Sequence, residues 1–230
     1  VLYLVATPIG NLGDITFRAI EVLKNADVIA CEDTRHSLRL LQRYEIAKPL
    51  VSYHEHNEAM RAAELLTRLL RGENVAVISD AGLPGISDPG ARLLRACIEN
   101  EITYTIIPGA SSVLTALVGS GFLSEQFFFG GFLPSKSGGR EREILAAGER
   151  AETTILFESP HRLLRTLEVF AQHFPMRLLC VARELTKQFE EFRRGFAGEL
   201  LEHFNAHPPR GEIVLVVSGL SKKERREQAD

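Results

Sequence analysis

Between Val75 and Gly90 the chain reads VAVISDAGLPGISDPG, and no other segment limits the possible folds as strongly. Four apolar residues, Val75-Ala76-Val77-Ile78, fit a buried strand. The run stops at Ser79-Asp80. Three glycines (Gly82, Gly85, Gly90) and two prolines (Pro84, Pro89) follow before apolar periodicity resumes at Leu93-Leu94-Cys97-Ile98. A plain strand-to-helix connection needs about 2–6 residues, and this one takes roughly twice that. In open α/β sheets, ligands bind beyond the carboxyl ends of the strands. Glycine lets backbone approach a ligand, and proline stiffens the loop that does so. The segment therefore predicts a strand, a ligand-holding loop and a helix.

The same grammar repeats along the first half. Leu2–Val5, Val28–Cys31, Leu50–Ser52 and Tyr104–Ile107 read as further strands. Amphipathic helices lie between them, the clearest carrying Ala62, Leu65, Leu66 and Leu69 at helical spacing. Alternation of this kind implies a mostly parallel sheet covered on both faces. A helix from about Ser111 closes this unit, and Gly119-Ser-Gly-Phe122 marks a boundary, giving domains 1–119 and 120–230. The aromatic stretch Phe127–Phe132, broken by Gly130-Gly131, follows and suggests an interface between copies of the chain. Beyond it, Thr153–Phe157, Leu178–Ala182 and Ile213–Val217 read as strands, and Phe189–Phe196 as an antiparallel strand pair. The second domain is thus α/β with a mixed sheet. Residues 221–230 read as a frayed, charged end.

Composition narrows the classes. The net charge is −3. Residues 1–119 hold 11 Lys+Arg against 14 Asp+Glu, and residues 120–230 hold 16 of each, so neither half is a basic nucleic-acid-binding domain. Any contact with nucleic acid must use local clusters: Arg35, Arg39 and Arg43; Lys136, Arg140 and Arg142; or Arg193-Arg194. No apolar run nears the roughly 18 residues of a membrane helix. Cys31, Cys97 and Cys180 fall in separate elements and read as buried thiols of a cytoplasmic protein. No Cys or His spacing suits a metal.

Each predicted strand of the first domain ends in a polar or glycine-containing loop. Thr7-Pro8-Ile9-Gly10-Asn11-Leu12-Gly13-Asp14 lacks the G-x-G-x-x-G spacing of dinucleotide sites and the Lys-Ser/Thr of a P-loop; Asp14 or Thr16 suits the cap of the next helix. Asp80 follows its strand directly and suits a ligand hydroxyl or amine. Asp88-Pro89 reads as an N-cap with proline at the first helical position. Pro108-Gly109-Ala110-Ser111-Ser112 offers backbone amides, a hydroxyl and a cap. Glu32-Asp33-Thr34-Arg35-His36 and Tyr53-His54-Glu55-His56-Asn57-Glu58 end two more strands; the second reads as a helix-capping loop or a substrate-facing patch. In the second domain, Ser159-Pro160 reads as a cap and Glu158 as a contact residue. Arg183-Glu184-Leu185-Thr186-Lys187 sets both charge signs at a strand's end.

Taken in order, TPIGNLGDIT, EDTRHS, HEHNE, SDAGLPGISDPG, PGASS, ESPHR, RELTK and GEIVLVV resemble the tetrapyrrole (corrin/porphyrin) methylase superfamily. EDTRHS and HEHNE resemble its branch that methylates a cytidine ribose 2′-oxygen in 16S ribosomal RNA. The resemblance runs from Leu2 to Gly219. It implies two α/β domains with a ligand cleft between them, S-adenosylmethionine as methyl donor, and a cytoplasmic homodimer acting on 16S ribosomal RNA in the small ribosomal subunit. It places the cofactor against Pro8, Ile9, Asp80, Gly82, Leu83, Ser111, Ser112, Phe157, Ala182 and Ile213. Similar proteins often continue into a C-terminal helical extension, whose RNA contacts would lie beyond this chain's end.

Methyl transfer to a ribose hydroxyl needs alignment, exclusion of water and a proton acceptor. His54, His56 and Glu184 are the candidate bases. Arg35, His36, His54, His56, Asn57 and Lys187 are the candidate RNA contacts. A methyltransferase of a small tetrapyrrole or a protein is the alternative favoured by the acidic charge. A non-catalytic nucleotide- or RNA-binding module is the alternative from another class.

Overall fold

The computed structural model describes residues 1–220; the stretch read as a frayed end, 221–230, lies outside the described residues. Contacts divide the chain into two compact units, Val1–Ser111 and the residues from Ser112 onward.

The first unit runs β1 (Leu2–Val5), α1 (Phe17–Asn25), β2 (Val28–Cys31), α2 (Thr34–Arg43), β3 (Leu50–Ser52), α3 (Glu58–Leu70), β4 (Val75–Ile78), α4 (Ala91–Glu99) and β5 (Tyr104–Ile107). The strand order is β3-β2-β4-β1-β5, and every neighbouring pair is parallel. The strands β1, β2 and β4 are apolar throughout because helices cover both faces. Leu2, Leu4, Val28, Ala30, Val75 and Val77 pack with Leu65 and Leu69 of α3 and Leu93 and Cys97 of α4. The alternate residues Val5, Ile29, Cys31, Ala76 and Ile78 pack with Ala19 and Leu23 of α1 and Leu41 of α2. Each such large side chain stabilises the fold by about 1.5–3 kcal/mol when fully buried. All three cysteines are buried and free.

Local chemistry sets the helix starts. Of the two cap candidates before α1, Thr16 takes the role: its hydroxyl accepts from Ala19 N–H at 3.1 Å. Asp33 caps α2, accepting from Arg35 N–H at 2.8 Å. Two expected caps are absent. The cap residue of α4 is Gly90, and Asp88 lies back in the loop. Asn57 precedes α3 but makes no side-chain cap bond.

The second unit runs α5 (Ser112–Ser120), β6 (Phe127–Phe132), α6 (Ser137–Glu149), β7 (Thr153–Glu158), α7 (Leu163–His173), β8 (Leu178–Arg183), β9 (Glu191–Phe196), α8 (Ala197–Ala206) and β10 (Ile213–Val217). Its sheet, β6-β7-β10-β8-β9, is mixed: β6 and β7 are parallel, and the other pairs are antiparallel. The helix α5, which the sequence reading assigns to the first domain, packs on β7–β10. Arg194 of β9 donates to the carbonyls of Gly119 and Ser120 at its carboxyl end, where a cation is favourable.

The aromatic stretch Phe127–Phe132 forms the strand β6. A register shift between Phe129 and Gly131 absorbs the glycines that read as a break. Phe189–Phe196 holds a single strand, β9, whose partner is β8 rather than its own hairpin mate. The helix α7 starts at Leu163, so Ser159 opens the preceding turn instead of capping the helix; its hydroxyl accepts from His161 N–H at 3.3 Å. Among the described residues no helix is long and apolar enough to cross a membrane.

Candidate active site

Three loops meet at the carboxyl ends of β1, β4 and β5. Thr7 N–H donates to Gly82 O at 2.8 Å and Gly82 N–H to Thr7 O at 3.1 Å, which stitches the loop after β1 to the loop after β4. The Thr7 hydroxyl adds a bond to Ser79 O at 3.1 Å. Gly82 has φ +82°, a conformation that costs side-chain-bearing residues. A Cβ there would sit 3.7 Å from Ile9 Cγ2 and 3.8 Å from Ala110 O. Gly109 lies so close to Ala6 that a Cβ would stand 2.9 Å from the alanine's own. The structure thus gathers Pro8, Ile9, Asp80, Gly82 and Leu83 at one sheet edge, with the Pro108–Ser111 loop beside them.

Carboxylates converge on this edge. Asp80 Oδ1 accepts from Asp33 N–H at 3.2 Å. Burial raises the Glu32 carboxyl above its usual range, and the negative charge of Asp80 raises it further. Burial also pushes Asp88 up to about 6, with Glu32 the next contributor and Asp80 a lesser one; a hydrogen bond with Ser79 acts the other way. Asp88, expected as a helix cap, is therefore part of an acidic group with Glu32 and Asp80. Among the described residues no set of three or more His, Cys, Asp or Glu is arranged to hold a metal. Such a group suits a ligand that carries positive charge and repels a phosphate.

The candidate RNA contacts divide by setting. Arg35 and His36 are exposed in the first turn of α2, and Arg35 pairs with Asp33 at 3.2 Å. His54 is half-buried, His56 is exposed, and their rings meet edge-on at 5.9 Å. Asn57 bonds His54 and Ser52.

The second-unit candidates show a different pattern. Phe132, Phe157, Val214, Ala182 and Phe192 pair in sequence across all five strands, forming one row. Ile213 belongs to the adjacent row and buries its side chain in the core with Leu167 and Phe170 of α7 and Phe204 of α8. It can offer only backbone to a ligand that touches Phe157 and Ala182. Glu158 is fully engaged: it accepts from Ser159 N–H and the Thr166 hydroxyl and pairs with Arg162. Glu184 accepts from Lys187 Nζ at 2.8 Å and from Glu212 N–H at 3.0 Å, and Lys187 also reaches Glu212 at 2.9 Å. The Lys187 hydrogen bond holds the Glu184 carboxyl below its usual range. Glu184 and Lys187 are thus partners of each other.

Sequence reasoning did not find the grouping of Glu32 and Asp88 with Asp80. The available signal was a carboxylate directly after each of two neighbouring strands, Glu32 after β2 and Asp80 after β4.

This fold, with three loops gathered at the carboxyl edge of a parallel five-stranded sheet beside a mixed-sheet unit, is that of a two-domain methylase. A model of the tetrapyrrole (corrin/porphyrin) methylases matches residues 1–201, and the chain belongs to that family of methyltransferases, whose methyl donor is S-adenosylmethionine. It is 47% identical over 226 residues to the ribosomal RNA small subunit methyltransferase I of Synechocystis sp., covering 98% of this chain and 81% of that protein. It is 46% identical to the protein of the same name from Bacillus subtilis, covering 99% and 78%. Among solved structures, a diphthine synthase matches with TM-score 0.73 at 15% identity, covering 98% of this chain and 93% of the other. A uroporphyrin-III C-methyltransferase from Thermus thermophilus matches with TM-score 0.66 at 22% identity, covering 94% and 93%. These two likenesses concern the fold alone.

Proposed function

We propose that this protein transfers a methyl group from S-adenosylmethionine to the 2′-hydroxyl of a cytidine ribose in 16S ribosomal RNA. The names of relatives that match almost the whole chain support the RNA. The observation that carries the cofactor's place is the acidic group Glu32, Asp80 and Asp88 beside the stitched loops. S-adenosylmethionine supplies an activated methyl group on a sulfonium, and it has an ammonium but no phosphate. Carboxylates favour those cations, whereas a phosphate-bearing nucleotide would meet repulsion there.

On this reading Pro8, Ile9, Asp80, Gly82, Leu83 and Ser111 hold the cofactor from the first unit. Ser112, Phe157, Ala182 and the backbone of Ile213 hold it from the second. The protein's work is alignment and exclusion of water. A nearby group takes the hydroxyl proton, drawn from His54, His56 and Glu184. Arg35, His36, His54, His56, Asn57 and Lys187 contact the RNA. The active form is a cytoplasmic homodimer, and its target is the assembled small subunit, since a net charge of −3 gives little general attraction to free RNA.

The test is transfer of tritiated methyl groups to small subunits that lack the modification, to naked 16S RNA and to protein fractions. Strong labelling of subunit RNA and weak labelling of naked RNA is expected. Labelled protein would favour the alternative substrate class. Tight cofactor binding without transfer to anything would favour a binding module.

A further inference from the structure

Asn57 is bound in a way that fixes both its own orientation and that of its neighbour. Its Oδ1 accepts from His54 N–H at 2.9 Å, and its Nδ2 donates to Ser52 O at 3.2 Å. Both partners are backbone groups, each with only one possible role, so the amide cannot be turned over. The second hydrogen of Nδ2 then meets His54 Nε2 at 3.2 Å. An amide nitrogen has no lone pair to offer. Nε2 must therefore be the acceptor and carry no proton. In neutral His54 the proton sits on Nδ1. That atom is buried and has no hydrogen-bond partner. Glu32 is the carboxylate whose ionised form a charged His54 favours, and the His56 ring lies edge-on at 5.9 Å.

The rest of the loop is braced. Asn57 N–H closes a turn onto His54 O at 3.0 Å. Tyr53 is buried, and its hydroxyl donates to Glu58 Oε1 at 3.1 Å, an oxygen that also accepts from Gly90 N–H at 3.2 Å. The imidazole is thus held from both flanks.

We propose that Asn57 is a positioning residue that fixes His54 as the Nδ1–H tautomer, so that the neutral ring keeps its lone pair against Asn57 and is not the base that takes the ribose proton. Its one free lone pair is already occupied by Asn57. The part assigned to His54 in the reaction rests on the proposed function; the tautomer does not.

The experiment is long-range nitrogen–proton NMR of the histidines in the intact, uniformly labelled protein at mildly alkaline pH, for the wild type and for Asn57→Asp. The wild type should show His54 Nε2 as a bare nitrogen and Nδ1 as a protonated one. A carboxylate in place of the amide accepts where Asn57 donates, so Asn57→Asp should reverse the pattern. Nε2–H or a tautomer mixture in the wild type would overturn the proposal, as would an unchanged pattern in the variant. The wild-type spectrum decides the matter even where the variant folds poorly. His54→Ala, measured in parallel, should keep methyl transfer within about tenfold of the wild type, with cofactor affinity retained. A loss of about a hundredfold or more by that variant, with cofactor affinity retained, would make His54 the base and overturn that part of the proposal.

Discussion

Thr7 and Gly82 stand 75 residues apart in the chain and exchange two backbone hydrogen bonds. This pair joins the loops after β1 and β4, and its geometry depends on the left-handed backbone at Gly82. A methyl group added there meets only ordinary contacts at 3.7 and 3.8 Å, so the cost lies in the backbone. Gly82→Ala should lose about 1–2 kcal/mol of stability, read as a lower urea midpoint with unchanged slope. A substitution at Gly82 is accordingly a test of loop geometry first and of ligand contact second. An unchanged midpoint would show that the loop adopts another conformation.

Asp88 makes stability depend on pH and, on the proposed placement of the cofactor, binding as well. Its folded value, about 6, lies above that of an exposed aspartate, so the folded protein holds this proton more tightly than the unfolded chain. The contribution is favourable at low pH and is lost as pH rises from about 4 to about 6. Asp88→Asn removes the loss. Its melting temperature should match the wild type near pH 4 and exceed it at pH 8. A cation beside the ionised carboxylate pulls in the other direction. Calorimetry should show S-adenosylmethionine binding tighten from pH 5 to pH 7 in the wild type, and less so in Asp88→Asn.

Arg35, Arg39 and Arg43 recur every four residues on α2 and are all exposed, which places them along one face. Arg35 already has Asp33. Arg39→Ala/Arg43→Ala should therefore leave folding stability within about 0.5 kcal/mol and cofactor affinity unchanged. Binding to the subunit should weaken and depend less steeply on salt, because each phosphate that an arginine neutralises releases about one counterion. Equal salt slopes for variant and wild type would place the RNA elsewhere.

The first unit's inner strands were legible because a strand buried on both faces is apolar at every position. Val28–Cys31 and Val75–Ile78 are such runs, and each of their residues is buried. The strand β6 hid behind Gly130-Gly131, and because the register shift that accommodates them depends on pairing with β7, it leaves no local mark. Asp88 misled because Asp-Pro is a strong local cap signal, yet α4 begins beyond Gly90. The place of Asp80 directly after β4 was legible from the sequence. Its company, Glu32 and Asp88, comes from tertiary folding and from the adjacency of β2 and β4. Arg194 looked like a free cation in the sequence and proved to be engaged with carbonyls of α5.

The claim that the first unit's carboxyl edge serves ribose methylation is tested most directly by the chemistry of the product. Small subunits lacking the modification would be incubated with tritiated S-adenosylmethionine and either the wild type or Asp80→Ala, and the RNA then hydrolysed in alkali. A 2′-O-methyl group blocks cleavage at its own nucleotide. The account predicts that the label appears in an alkali-resistant dinucleotide beginning with cytidine, and that Asp80→Ala, although folded, loses most of it. Label in a mononucleotide would mean methylation of a base, and full labelling by Asp80→Ala would mean a site elsewhere; either result would contradict the account.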